Sequence, residues 1–136
     1  MSIKIFLVVM MAIFSCSQRS GVARSLAMDQ EFDLKIGQEL SVPDADLTIS
    51  FDSVAEDSRC PLGVSCIWSG NAAVIVKLRK AKGDSSTVKL NTDVEPKEYA
   101  IGAYKLILVR LTPYPKQDVS IKKKDYVAVF VVRKAS

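Results

Sequence analysis

Leu47-Thr48-Ile49-Ser50-Phe51-Asp52-Ser53-Val54 alternates apolar and polar residues through eight positions. A period of two places Leu47, Ile49 and Phe51 on one face of an extended chain and Thr48, Ser50 and Asp52 on the other, so this stretch is a half-buried strand. On its N-terminal side, Phe32-Asp33-Leu34-Lys35-Ile36 repeats the pattern until Gly37 breaks it. On its C-terminal side, Ala72 to Leu78 is largely apolar and rich in β-branched residues, and Lys77-Leu78-Arg79-Lys80 carries the alternation out to solvent. Lys82-Gly83-Asp84-Ser85-Ser86 is a turn cluster before a second alternating run, Thr87-Val88-Lys89-Leu90-Asn91, and the two runs predict a hairpin. Tyr104 to Leu111 is a long strand stopped by Thr112-Pro113-Tyr114-Pro115. Tyr126 to Val132 is apolar almost throughout, as a central strand must be. No stretch offers helical spacing with caps. The prediction is an all-β domain, an antiparallel β-sandwich or partly open barrel of six to eight strands, preceded by a cleaved signal segment. Periodicity does not choose between sandwich and barrel.

The chain has 136 residues, of which 49% are hydrophobic and 25% charged, enough for one domain with a core of its own. It contains no histidine. That excludes Ser-His-Asp and Cys-His catalysis, histidine-bearing zinc sites and histidine pH switches. Nineteen Lys and Arg against fifteen Asp and Glu leave a net charge of +4 with the signs interleaved. Such a mixed surface does not point to nucleic acid. No nucleophile–base pair and no metal set can be assembled, so neither an enzyme nor a cofactor is expected.

The N-terminus reads as an address. Lys4 is followed by the unbroken apolar run Ile5 to Phe14, ten residues, too short at ~1.5 Å each to cross a hydrocarbon core of about 30 Å. A positive start, a short apolar stretch and small residues after it describe an export signal. Ile13-Phe14-Ser15-Cys16 resembles a bacterial lipoprotein signal. The resemblance implies cleavage before Cys16 and acylation of that residue, making 1–15 the signal peptide. Small-x-small sequences at Gly21-Val22-Ala23 and Ser25-Leu26-Ala27 offer the alternative of plain secretion, with cleavage after Ala23 or Ala27. Lipidation or removal of Cys16 leaves the even pair Cys60 and Cys66, which suits an exported protein. Residues 16–30 read as a flexible tether and 31–136 as a single β-domain. A short helix over Ser25 to Glu31 is the competing reading of the tether.

The segment Glu56-Asp57-Ser58-Arg59-Cys60-Pro61-Leu62-Gly63-Val64-Ser65-Cys66-Ile67-Trp68-Ser69-Gly70-Asn71-Ala72 has no periodicity. Pro61 and Gly63 turn the chain between two cysteines, and in an exported protein Cys60 and Cys66 are expected to be bonded. Closing so short a ring constrains the unfolded chain by about 2–2.5 kcal/mol on the chain-entropy model. The spacing is not that of a CxxC redox motif, and two ligands do not make a zinc site. Asp57-Ser58-Arg59-Cys60-Pro61, with Val64, Cys66, Trp68, Gly70 and Ala72, resembles a motif of uncharacterised exported bacterial β-domain proteins, many of them lipoproteins. Weaker similarity runs through Phe32 to Gln38 and Leu111 to Tyr126. The resemblance implies the disulfide and the fold type, and no activity.

Each residue of this loop has a plain and a sharp reading. Trp68 lids the core, Arg59 pairs with Asp57 or Glu56 or satisfies loop carbonyls, Asp57-Ser58 caps a turn, and Asn71 occupies a left-handed position. Alternatively, Asp57, Arg59, Trp68 and Asn71 form a rigid recognition surface. Asp44, Asp46 and Asp52 lack calcium-loop spacing, and Glu56 and Asp57, as strand neighbours, face opposite ways. Lys122-Lys123-Lys124 is a solvated turn, or a contact for anionic headgroups if the domain sits near its anchor. Pro113-Tyr114-Pro115 is a stop signal or a second contact. The expected function is a non-enzymatic module of the cell envelope, held to a membrane by a lipid on Cys16 and binding an envelope protein or glycan. The alternative is a secreted, inhibitor-like or accessory module whose cysteine loop docks into a partner protein.

Overall fold

A computed structural model describes Leu26 and residues 28–136. The signal segment, Cys16, most of the tether and both alternative cleavage points lie outside the described residues.

Eight strands follow one another: β1 (Glu31–Lys35), β2 (Glu39–Val42), β3 (Leu47–Asp57), β4 (Ala72–Lys80), β5 (Ser85–Asn91), β6 (Glu98–Ile101), β7 (Tyr104–Thr112) and β8 (Val127–Lys134). They form two four-stranded antiparallel sheets, ordered β1-β8-β7-β6 and β2-β3-β4-β5. The fold is an open sandwich, which decides between the two architectures left open by periodicity. The inward positions of the alternating runs build the core: Leu47, Ile49 and Phe51 of β3 face Leu106 and Leu108 of β7 and Ala128, Phe130 and Val132 of β8. Phe51 and Phe130 meet edge to face with ring centres 6.3 Å apart, joining the sheets at their centre. The apolar β8 lies between β1 and β7, so both of its edges are hydrogen-bonded.

Two strands carry no readable periodicity. β2 and β6 have four residues each, and only Val42 and Ile101 in them are buried. Both sit at sheet edges, where one partner strand suffices to hold them. β3 runs three residues beyond the expected Val54, with irregularities between Phe51 and Ser53 and between Val54 and Glu56. Each inserts one residue, so the two phase shifts cancel. Asp57 therefore pairs with the fully buried Ala72 and shares its inward face, while Glu56 is exposed.

The pairings also give the sandwich two distinct ends. Glu31 with Val131, Leu47 with Lys80 and Tyr104 with Lys134 mark one, where the Tyr104 hydroxyl donates to the Asp44 carbonyl across the sheets at 3.0 Å. Lys35 and Thr112, both paired with Val127, and Asp57 with Ala72 mark the other. The chain enters β1 at the first end, and the loop between β3 and β4 projects from the second. Lys122–Lys124 precede β8 at that second end as well, which separates them from the entry of the tether.

Candidate functional site

The β3–β4 loop begins as a continuation of the ladder below it. Ser58 N–H donates to the Asn71 carbonyl at 2.7 Å, and Cys60 N–H to the Ser69 carbonyl at 2.8 Å. The two arms approach so closely at Gly70, which has φ +76°, that a Cβ there would run into the Ser58 carbonyl and lie 2.7 Å from the Arg59 Cα. Only glycine satisfies both the left-handed backbone and the space. Beyond these arms, Cys60 and Cys66 are joined in a disulfide with Cα atoms 5.9 Å apart.

Arg59 turns inward beneath the ring, leaving only 5% of its area exposed. Its Nε and one terminal nitrogen donate to the two carboxylate oxygens of Asp57, at 2.8 and 2.7 Å. The other terminal nitrogen donates to the Leu111 carbonyl at 2.6 Å, and the Pro113 carbonyl accepts a further bond at 3.1 Å. The guanidinium also lies over the Tyr114 ring, 5.0 Å from its centre. Asp57 receives a second partner from the β7–β8 side, the Tyr126 hydroxyl at 2.9 Å. Burial pushes the Asp57 carboxyl up, yet the bonds from Arg59 and Tyr126 outweigh it and hold the group below the ordinary carboxylate range. Burial, and then the Asp57 charge, push the Tyr126 phenol up to about 12. Both Asp57 oxygens are occupied and Tyr126 is held neutral, so the cluster is a structural lock with no free base in it.

Asn71, also 5% exposed, holds a separate junction. Its amide donates to the Asn91 side chain at 3.0 Å, and its side-chain oxygen accepts from Asp93 N–H at 3.1 Å. The β3–β4 loop is thereby fastened to the β5–β6 loop on one side. On the other, Leu62 N–H donates to the Pro115 carbonyl at 2.9 Å and the Leu62 carbonyl accepts from Gln117 N–H at 3.1 Å. Three loops form one connected end of the molecule.

No protein-family model, curated protein or solved structure matches this chain.

The structure thus divides the four candidate binding residues. It brings Asp57 and Arg59 together and seats Asn71 nearby, all three with their polar atoms satisfied inside the loop base. Trp68 stands apart, with 61% of its area exposed, and so is not the lid of the core that the plain reading expects. A single four-residue surface is therefore corrected to an interior lock with an exposed apex. The arginine points inward because five N–H donors need acceptors, and the Leu111 and Pro113 carbonyls supply them where water is excluded. Sequence reasoning missed Tyr126 as the partner of Asp57, and missed Ile67, which is entirely exposed at 107% of its reference area. The readable signal for Ile67 was its adjacency to Trp68 in an otherwise small and polar segment; nothing local marks Tyr126. Leu62, Val64, Tyr114 and Val119 are also exposed apolar residues of this end. Among the described residues, no three Cys, Asp or Glu side chains gather as a metal site.

Proposed function

We propose that the chain is an exported, non-enzymatic binding module of the cell envelope, held by a lipid on Cys16, with the disulfide-held end of the sandwich as its contact surface. The observation that carries this reading is the exposure of Ile67 and Trp68 on a loop immobilised from below. Leaving such apolar area in water has a cost, and a rigid apex loses little conformational entropy when it binds. Supporting it, residues 1–16 carry the pattern of an export and lipidation signal, and the disulfide suits an oxidising compartment. The described chain enters β1 at the end of the sandwich opposite the apex. The projecting ring also favours a second reading, a secreted module whose apex enters a cleft on a partner protein.

Two measurements test the reading. The intact mass of the protein from its host should match a chain beginning at acylated Cys16, gaining two hydrogens on reduction. A lipid-free chain beginning at Arg24 or Met28 would replace the anchored module by the secreted one. Hydroxyl-radical footprinting should show Trp68 protected in the native envelope and oxidised in the purified chain. Equal oxidation in both would remove the contact surface.

A further inference from the structure

The apex differs from an ordinary protein-binding patch in shape and in the placement of charge. Pro61 to Ser69 contains no charged residue, and its two most exposed large apolar side chains, Ile67 and Trp68, are left uncovered by the described residues. A cleft-bearing partner would need a matching cavity for this convex tip, whereas a fluid bilayer interface needs none. Tryptophan is also the side chain best suited to the headgroup level, with an apolar ring and one N–H for the wet side. On the β7–β8 side of this end stands a basic collar. Lys116 is bridged directly to Leu62, and Lys122, Lys123 and Lys124 lie just before Tyr126, whose hydroxyl is fixed to Asp57. Asp118 and Asp125 share this segment, so residues 113–125 carry four lysines against two aspartates, a net of two positive charges. The acidic Asp93 and Glu95 belong to the β5–β6 loop, fastened at Asn71 on the other side of this end, and the exposed Glu56 lies at the end of β3, where the β3–β4 loop starts.

We infer that the apex is a bilayer-contact surface: Ile67 and Trp68 enter the headgroup region of an anionic membrane while the lysine collar faces its phosphates. This takes the loop end as the contact surface, as above, and names the partner class. Leu62, Val64 and Val119 form the apolar shoulder that follows the tip into the interface. The geometry permits contact with the same leaflet that holds the anchor. β3, with eleven residues, spans about 36 Å, and residues 16–30 reach up to about 50 Å when extended. A domain on such a tether can lie along the membrane with both ends touching it. Anionic lipid contributes through the lysines and apolar burial through the tip, so both are needed for firm attachment.

Trp68 is the single tryptophan of the chain, so its emission reports the apex without a label. The full chain is titrated with vesicles of phosphatidylcholine and anionic phosphatidylglycerol carrying brominated acyl chains. A blue shift of Trp68 emission with quenching by the bromines is expected. Ile67→Ser should raise the lipid concentration at half-maximal shift by about tenfold or more, and Ile67 packs against no core residue, so the fold survives the change. Reversing the charge of Lys122, Lys123 and Lys124 together should also raise it. Emission that stays at the solvent-exposed wavelength, unquenched, while the chain is bound to the vesicles overturns the inference. If Trp68 is nevertheless protected from oxidation in the native envelope, the contact surface stands and its partner is not lipid. If it is neither quenched nor protected, the surface and the inference fall together.

Discussion

Four hydrogen bonds from the Arg59 side chain end on Asp57, Leu111 and Pro113, and these acceptors come from β3, β7 and the loop after it. One side chain therefore fixes the spacing between the two sheets at the loop end. Arg59→Ala should cost about 3 kcal/mol in denaturant unfolding, because it strands a part-buried carboxylate and two carbonyls. Arg59→Lys should recover little of that, since an ammonium cannot grip both carboxylate oxygens. Full stability in either variant would remove the lock. Trp68→Ala is expected to change stability by no more than about 0.5 kcal/mol, the ordinary cost at an exposed position. A loss of several kcal/mol would restore Trp68 as a lid of the core. Gly70→Ala should be among the most damaging single-methyl additions in the protein, because backbone atoms of Ser58 and Arg59 occupy the added volume. It is checked by the yield of folded protein and its Tm against wild type.

The β3–β4 loop, taken as an element, is stiff because it is closed several times over: by the paired arms, the ring, the Arg59 lock and the bridge from Leu62 to Lys116. Removing the ring by Cys60→Ser with Cys66→Ser should cost about 2 kcal/mol, the chain-entropy value for so short a loop. The other closures remain, so the variant is expected to stay folded, with hydrogen exchange accelerated in 61–68 and little changed in β3 and β4. Exchange that rises equally across β3 and β4 would mean that the ring holds the sheet as well as the loop. The strands themselves are held by the core. Phe51→Ala should cost about 3–5 kcal/mol, since it empties the contact with Phe130 between the sheets.

For the whole molecule, the ionisation of Asp57 and Tyr126 sets stability limits at both extremes of pH. The Asp57 pKa is lower folded than unfolded, so its contribution is present above the unfolded value of about 3.8 and is lost as pH falls through the folded one. The Tyr126 pKa is raised, so its contribution is complete below about 10 and is lost as pH rises toward about 12. Stability should therefore be flat across neutral pH and fall at both limits. Asp57→Asn should flatten the acid limb, as measured by denaturant midpoints against pH. An acid limb identical to wild type would assign acid sensitivity to other carboxylates. The placement of the start of β1 and of the β3–β4 loop at opposite ends of the sandwich is also a property of the whole fold, set by the strand pairings.

The sequence by itself determined the fold class, through the alternation of β3, the apolar run of β8 and the turns between strands, because a two-residue period has one physical meaning in a chain that must bury its apolar face. It also marked the cysteine loop as exceptional, and the bond between Cys60 and Cys66 is present in the structure. The short edge strands β2 and β6 were not legible, since four residues with one buried side chain carry too little pattern. Neither was the direction in which Arg59 and Trp68 point. Both belong to one aperiodic segment, and a lone arginine or tryptophan there has equal local reason to face in or out. Tertiary structure decided it: the Leu111 and Pro113 carbonyls lie more than fifty residues away in sequence, and their need for donors draws Arg59 inside. The same folding fills the loop base with polar contacts and leaves Ile67 and Trp68 at the apex, where none of the described residues covers them.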